Sequence, residues 1–130
     1  MITELSDNRT VHFISGATPT DDRENIRGLV EKSDDCIVVA SYGTFSLGVN
    51  VKRIHNIVFA SPYKSQIKVL QSIGRGLRTA DDKEVLKLFD IADSLVNNNK
   101  ENYTLKHFRE RINIYNEQGF EYHIVPVTLK

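Results

Sequence analysis

Two short apolar runs constrain the fold of this chain more than any other feature. Residues 36–40 read CIVVA and residues 55–60 read HNIVFA. Such runs are typical of strands in a parallel sheet that is covered on both faces. Further strands are predicted at 10–15 and 85–91, and helices at 18–32, 65–77 and 103–118. Because strands and helices alternate, the sequence predicts an α/β fold with right-handed crossovers.

The ends of several predicted elements carry specific signals. Thr18 is predicted to be the N-cap of the first helix, with Pro19 at its first position. Gly119 stands where a glycine commonly ends a helix. Residues 1–8 are predicted to be the tail of a helix, and residues 120–124 alternate into a final strand or an extended tail.

Charge is distributed unevenly in a chain whose formal net charge is zero. Residues 36–80 contain no Asp or Glu but six Lys or Arg, whereas carboxylates outnumber basic residues on both sides. The neutral total argues against a protein that coats nucleic acid with its whole surface. The basic centre favours an anion-binding face, with solvated side chains as an equal alternative for Lys64 and Lys68.

One pair of arginines in the basic centre has the spacing of an anion site. Arg75 and Arg78 are three positions apart at the end of a predicted helix, and Gln71 precedes Arg75 by four. Positions three and four apart lie on one helix face, so these side chains can point at the same anion. Arginine matches phosphate oxygens bidentately and stays charged at any working pH. The pattern therefore predicts phosphate binding.

Loops after the predicted strands are the expected place for a ligand, since open α/β sheets bind ligands there. Three loops qualify, at 15–18, 41–50 and 61–65. Loop 41–50 has three hydroxyl-bearing Ser or Thr residues, two glycines and no negative charge, which suits contact with a nucleic-acid backbone. A polar connection with glycines for tight turns is the alternative. The glycine spacing is not that of a P-loop, because Gly-Lys-Ser/Thr does not follow.

Several other chemistries find little support. Cys36 is the only cysteine, so no intrachain disulfide can form, and the four histidines lack metal-ligand spacing. Asp90 and Asp93 end a predicted strand and are expected to cap its loop, since no nucleophile or base is spaced to work with them. No apolar run is long enough to cross a bilayer.

The order of these segments resembles the C-terminal RecA-like domain of superfamily two helicases. The loop ending GVN at 48–50 is similar to motif V of that family, and QSIGRGLR at 71–78 is similar to motif VI. Gly16 followed by Arg23 looks like the family's earlier GxxxxxxR region. The resemblance implies a RecA-like open, mostly parallel sheet flanked by helices over residues 1–96.

The resemblance also implies roles for individual residues. Arg75 and Arg78 would be arginine fingers that reach the γ-phosphate of an ATP held by another domain, with Gln71 beside them. The bound nucleotide would border Gly48, Asn50 and Gly74. The nucleic-acid backbone would contact Ser15, Gly16, Ser41, Tyr42 and Thr44.

Residues 97–130 extend the resemblance to the phage UvsW-type recombination and branch-migration helicases. The segment NYTLKH at 102–107, the helix that contains it and Phe120-x-Tyr122 are similar to the end of those proteins. This region is predicted to be a helical extension followed by a strand. The likeness implies DNA as the nucleic acid, a role in recombination or repair, and the cytoplasm of a bacterial or phage-infected cell.

The sequence lacks the P-loop and the Asp-Glu pair with which this family grips ATP and magnesium. We therefore expect no ATP hydrolysis by the chain alone, and a partnership with an N-terminal RecA-like helicase domain that holds ATP and magnesium. A non-enzymatic module that binds nucleic acid or a partner protein is the alternative from another class. A stand-alone phosphatase or kinase is disfavoured, because a base, a nucleophile and a metal site are missing.

Overall fold

The computed structural model describes residues 1–44, 54–61, 86–94 and 102–128. The strands in this part of the chain are β1 (Thr10–Ile14), β2 (Cys36–Ala40), β3 (Asn56–Phe59) and β4 (Lys87–Asp90), and the helices are α1 (Thr20–Lys32) and α2 (Tyr103–Glu117). This mixture of helices and parallel strands confirms the predicted α/β class. The helix predicted at 65–77 lies outside the described residues.

β1 and β2 are parallel neighbours. Pairing runs in register from Thr10 with Cys36 to Ile14 with Ala40. Parallel strands cannot be joined by a tight hairpin and need a crossover connection, which α1 provides with 13 residues.

A small apolar core lies between α1 and this strand pair. Ile14 of β1 and Val30 of α1 are buried, and the partly buried residues packed against them are Ile26, Cys36, Val38, Ala40 and Ile54. Full burial of an aliphatic side chain contributes about 1.5–3 kcal/mol, so this contact holds the helix to the strands. Cys36 packs here as a small apolar residue.

β3 and β4 form a second two-stranded sheet. The Lys87 N–H donates to the His55 carbonyl at 2.9 Å, and the Ile91 N–H donates to the Phe59 carbonyl at 3.0 Å. Donor and acceptor both advance by four residues between these bonds, which is the pattern of parallel strands. Val58 of β3 is 55% exposed, so the expectation that this run is covered on both faces is wrong.

The chain divides into two compact units. Among the described residues, the first unit contains 1–44, 54–58 and 86–89, and the second contains 59–61, 90–94 and 102–128. The domain boundary predicted between residues 96 and 97 falls outside the described residues and stays a prediction.

The first eight residues form turns instead of the predicted helix tail. A single helix-like bond is present, from the Leu5 N–H to the carbonyl four residues earlier at 3.1 Å. The Ser6 hydroxyl bonds a nearby backbone carbonyl at 2.8 Å, and Asp7 and Asn8 have φ angles of 55° and 67°. Local side-chain bonds and left-handed residues of this kind end a helix after one turn.

The N-cap prediction for Thr18 is also wrong. α1 begins at Thr20, and Pro19 occupies the cap position without a side-chain cap bond. The Thr18 hydroxyl accepts a hydrogen bond from the Ser15 N–H at 3.0 Å. It therefore closes the loop that precedes the helix instead of capping the helix.

α2 has a side-chain cap at its start and a left-handed glycine after its end. Asn102 Oδ1 accepts from the Leu105 N–H at 3.3 Å, and Gly119 has a φ of 69°. The glycine confirms the predicted helix end. Residues 120–128 form neither helix nor strand. The predicted final strand is therefore absent from these residues, and Pro126 lacks the N–H that a strand ladder needs.

Candidate nucleic-acid interface

The register of β1 and β2 brings two loops to the same edge of the sheet. Ile14 and Ala40, the last residues of the two strands, are partners, so Ser15 and Ser41 leave the sheet side by side. Both serines are exposed. The structure thus places two of the three predicted ligand loops together at the carboxyl ends of parallel strands.

An open cavity of about 320 Å³ lies at this edge. The end of each strand and the serine after it line the cavity: Phe13, Ile14, Ser15, Val39, Ala40 and Ser41. Apolar walls with a few convergent polar groups are the usual composition of a ligand site. The two serines supply those polar groups here.

Loop 15–18 is held by bonds among its own residues. The Ser15 N–H donates to Thr18 Oγ1 at 3.0 Å, and the Ala17 N–H donates to Ser15 Oγ at 3.3 Å. The Thr18 N–H donates to the Ser15 carbonyl at 3.1 Å. Within the described part of the chain, the Gly16 N–H makes no hydrogen bond. Gly16 is therefore the loop residue whose backbone donor is available to a ligand.

Gly16 is not required by packing or by backbone conformation. A Cβ atom built on it would have no atom within 4 Å, and its φ lies outside the left-handed region. The same is true of Gly43 in the neighbouring loop. Glycine is also used where a ligand approaches the backbone closely, and both positions are at the edge where a ligand is expected.

Loop 41–44 begins a helical turn that is closed by side chains. Ser41 Oγ and Thr44 Oγ1 are 2.8 Å apart, and the Thr44 N–H donates to Ser41 Oγ at 3.3 Å. Thr44 is buried, whereas Ser41 is exposed and Tyr42 is half-buried. Of the two bonded hydroxyls, that of Ser41 is the one a ligand can reach. Contacts of Tyr42 and Thr44 with nucleic acid stay predictions.

The remaining predicted site residues lie outside the described residues. This applies to Gln71, Gly74, Arg75 and Arg78 of the arginine segment, and to Gly48 and Asn50 of the second loop. Their proposed contacts with ATP rest on the sequence alone.

The second unit contains a buried ionic cluster that the sequence analysis missed. Arg111 Nε donates to Asp90 Oδ2 at 2.7 Å, and Arg111 Nη2 donates to Asp90 Oδ1 at 2.6 Å. The Tyr115 hydroxyl donates to Asp90 Oδ2 at 2.7 Å. The side chain of Arg111 is 0% exposed and that of Asp90 is 9% exposed. Asp90 therefore fixes α2 to the end of β4 and does not act as a loop cap.

Burial raises the pKa of the Tyr115 hydroxyl above its ordinary value, and the hydrogen bond to the Asp90 carboxylate raises it further. Both effects disfavour a phenolate beside a carboxylate in a poorly solvated place. A neutral Tyr115 is thus a permanent donor to Asp90 at neutral pH. The signal in the sequence is the spacing of four between Arg111 and Tyr115, which puts both on one face of α2.

Asp93 anchors the start of α2 through its backbone. Its carbonyl accepts from Asn102 Nδ2 at 2.9 Å and from Thr104 Oγ1 at 2.7 Å. Within the described ranges the Asp93 carboxylate makes no hydrogen bond, so the expectation that this side chain caps the loop is wrong.

Clusters of metal ligands and membrane-spanning helices are both absent from the described ranges. No group of three or more His, Cys, Asp or Glu side chains there could hold a metal ion. No helix among those residues is both long and apolar enough for a membrane span.

Comparison with known proteins supports the resemblance stated above. The sequence is 39% identical, in an alignment of 129 positions that covers 92% of this chain, to the ATP-dependent DNA helicase uvsW of Enterobacteria phage T4. The chain spans 26% of the length of that helicase. No protein-family model matches the chain.

The fold is similar to a solved structure, the C-terminal part of the Fun30 ATPase domain. The TM-score is 0.59 at 13% sequence identity, over 91% of this chain and 42% of that one. At this identity the likeness concerns the fold alone. It confirms the predicted α/β architecture, which is similar to that of the C-terminal part of an ATPase domain.

Proposed function

We propose that the chain, which resembles a DNA helicase in sequence and the C-terminal part of an ATPase domain in fold, is the C-terminal motor half of an ATP-dependent DNA helicase or translocase. In this proposal it supplies arginine fingers and contacts with the nucleic-acid backbone. A partner domain supplies the grip on ATP and magnesium. The chain alone does not hydrolyse ATP.

The observation that carries the proposal is the meeting of Ser15 and Ser41 at the carboxyl edge of β1 and β2. One loop offers the free N–H of Gly16, and the other offers the exposed hydroxyl of Ser41. Backbone N–H groups and hydroxyls are the donors with which proteins hold phosphates without reading base sequence. We propose that one strand of DNA passes over this edge.

The arginine segment completes the proposed motor. Arg75 and Arg78 would enter an ATP site formed with the partner domain, close to the γ-phosphate, with Gln71 beside them. Gly48, Asn50 and Gly74 would border the same nucleotide. ATP binding would bring the two halves together and insert the fingers, and hydrolysis would release them. Recombination or repair is the process we propose, by analogy with the phage relative.

Binding of single-stranded DNA to the unaltered chain tests the interface. A fluorescent oligonucleotide titrated at several salt concentrations is expected to bind more weakly as salt rises, with a logarithmic slope of about −0.7 for each phosphate neutralised. Gly16→Ala is expected to weaken binding about three- to tenfold, because a methyl group then occupies the approach to the backbone donor.

Gly28→Ala is the matched control, since Gly28 also has open space around its Cβ position but lies within α1. This change should raise the free energy of unfolding by about 0.5–1 kcal/mol and leave DNA binding unchanged. Equal binding by the Gly16→Ala variant and the unaltered chain would count against the proposed interface.

The second candidate function is a nucleic-acid-binding module without ATP chemistry, favoured by the same two loops and by the basic centre. This candidate predicts the same DNA-binding result as the helicase proposal. The two candidates differ in the role they give to the arginines. A module of this kind needs neither Arg75 nor Arg78 for any ATP-dependent step.

A further inference from the structure

Arg23 donates two hydrogen bonds to backbone carbonyls of loop 15–18. Its Nε donates to the Thr18 carbonyl at 2.8 Å, and its Nη2 donates to the Gly16 carbonyl at 3.1 Å. Arg23 is half-buried and lies in the first turn of α1. The guanidinium thus folds back over the helix start and spans the loop. A fork of fixed donors can satisfy two carbonyls together, which the single point charge of lysine does less well.

Arg27, one turn later on the same helix, is used in a different way. It pairs with the carboxylates of Glu24, three positions before it, and Glu31, four positions after it. The hydrogen bonds of Arg23, in contrast, go to backbone carbonyls of the loop. Arg23 therefore contacts the loop, whereas Arg27 on the same helix forms ordinary ion pairs.

The bonds of the loop fix the orientation of each peptide group. In the peptide group between Gly16 and Ala17, the carbonyl accepts a hydrogen bond from Arg23 and the N–H donates to Ser15 Oγ. The peptide between Ser15 and Gly16 has its carbonyl turned into the loop by the Thr18 N–H. In a trans peptide the N–H points opposite to the carbonyl, so the Gly16 N–H points away from the loop interior.

We infer that Arg23 is a positioning residue of the nucleic-acid interface, which holds loop 15–18 so that the Gly16 N–H faces a backbone phosphate. The inference deepens the proposed function and rests on it. Arg23 itself neutralises no phosphate in this arrangement. Its effect on binding passes through the orientation of the loop.

The test uses the full chain and a fluorescent oligothymidylate titrated at several salt concentrations. Arg23→Gln is expected to weaken binding about three- to tenfold, the effect of losing one ordinary hydrogen bond, with the salt slope unchanged. Arg23→Lys retains the charge but not the fork, so it is expected to weaken binding to a similar extent. Combined with Gly16→Ala, either change should add little further loss, because both act on the same N–H.

Arg27→Gln is the matched control, since it removes the same charge from the same helix without touching the loop. It is expected to bind DNA like the unaltered chain. A salt slope shallower by about 0.7 in Arg23→Gln would overturn the inference, because Arg23 would then contact a phosphate directly. Full-strength binding by Arg23→Gln, or an equal loss in Arg27→Gln, would overturn it as well. If the unaltered chain shows no salt-dependent binding, the proposed function fails and the inference fails with it.

Discussion

At the scale of single residues, the surroundings of Tyr115 fix the protonation state of its hydroxyl. The residue is 4% exposed and its hydroxyl donates to Asp90. Burial, and after it the bond to Asp90, raises its pKa in the folded chain. As pH rises, the unfolded chain therefore releases this proton before the folded chain does, and the free energy of unfolding decreases.

We predict an alkaline loss of stability that depends on Tyr115. The contribution of this hydroxyl is fully present below about pH 10, the ordinary tyrosine value, and is lost as pH rises through the raised folded value. Urea unfolding measured between about pH 8 and about pH 11 should show a steeper decline for the unaltered chain than for Tyr115→Phe. Parallel declines for the two proteins would contradict this assignment.

Glycines show what a sequence can and cannot say about single residues. The role of Gly119 follows from its place after an amphipathic helix, and its left-handed φ confirms the prediction. The position of Gly16 between a strand and a helix suggests only a turn. Its open surroundings and free N–H depend on bonds made by Thr18 and Arg23, which no spacing rule gives.

At the scale of secondary-structure elements, the strands were predictable and the contact that holds α2 was not. The apolar runs predicted β2 and β3 to within two residues at each end. Periodicity also predicted α2, at 103–118 compared with Tyr103–Glu117 in the structure. The most deeply buried side chain of α2 is Arg111. A hydrophobic pattern assigns an arginine to the surface, because the pattern does not include a partner such as Asp90 on another element.

We predict that the Asp90–Arg111 pair is required for α2 to stay attached to β4. Asp90→Asn leaves the buried guanidinium of Arg111 without a carboxylate, and loss of one partner of a buried pair costs about 3–5 kcal/mol. Denaturant unfolding should show this decrease in the free energy of unfolding.

The exposed pair of Arg9 and Asp35, 2.8 Å apart with side chains 46% and 68% exposed, provides the control. Asp35→Asn is expected to change the free energy of unfolding by about 0–1 kcal/mol, as exposed ion pairs do. If Asp90→Asn were as mild as this control, Asp90 would not be the anchor of α2.

At the scale of the whole molecule, we propose that the chain is one half of a composite site whose other half belongs to a partner domain. The sequence offers two arginines with the spacing of a phosphate clamp but no P-loop. The fold gathers Ser15, Gly16 and Ser41 at one sheet edge. The order of motifs along the chain made the architecture predictable. Which atoms are free at that edge depends on hydrogen bonds between residues of different elements, and only the structure shows them.

ATP hydrolysis in a mixture with the N-terminal half of a UvsW-type helicase tests the central claim most directly. With single-stranded DNA present, the mixture is expected to hydrolyse ATP while this chain alone does not. Arg75→Ala or Arg78→Ala should lower turnover by about 10³- to 10⁵-fold, the usual contribution of an arginine finger. Lys64→Ala in the same basic centre is the control and should retain turnover. Undiminished hydrolysis with either arginine replaced would contradict the account.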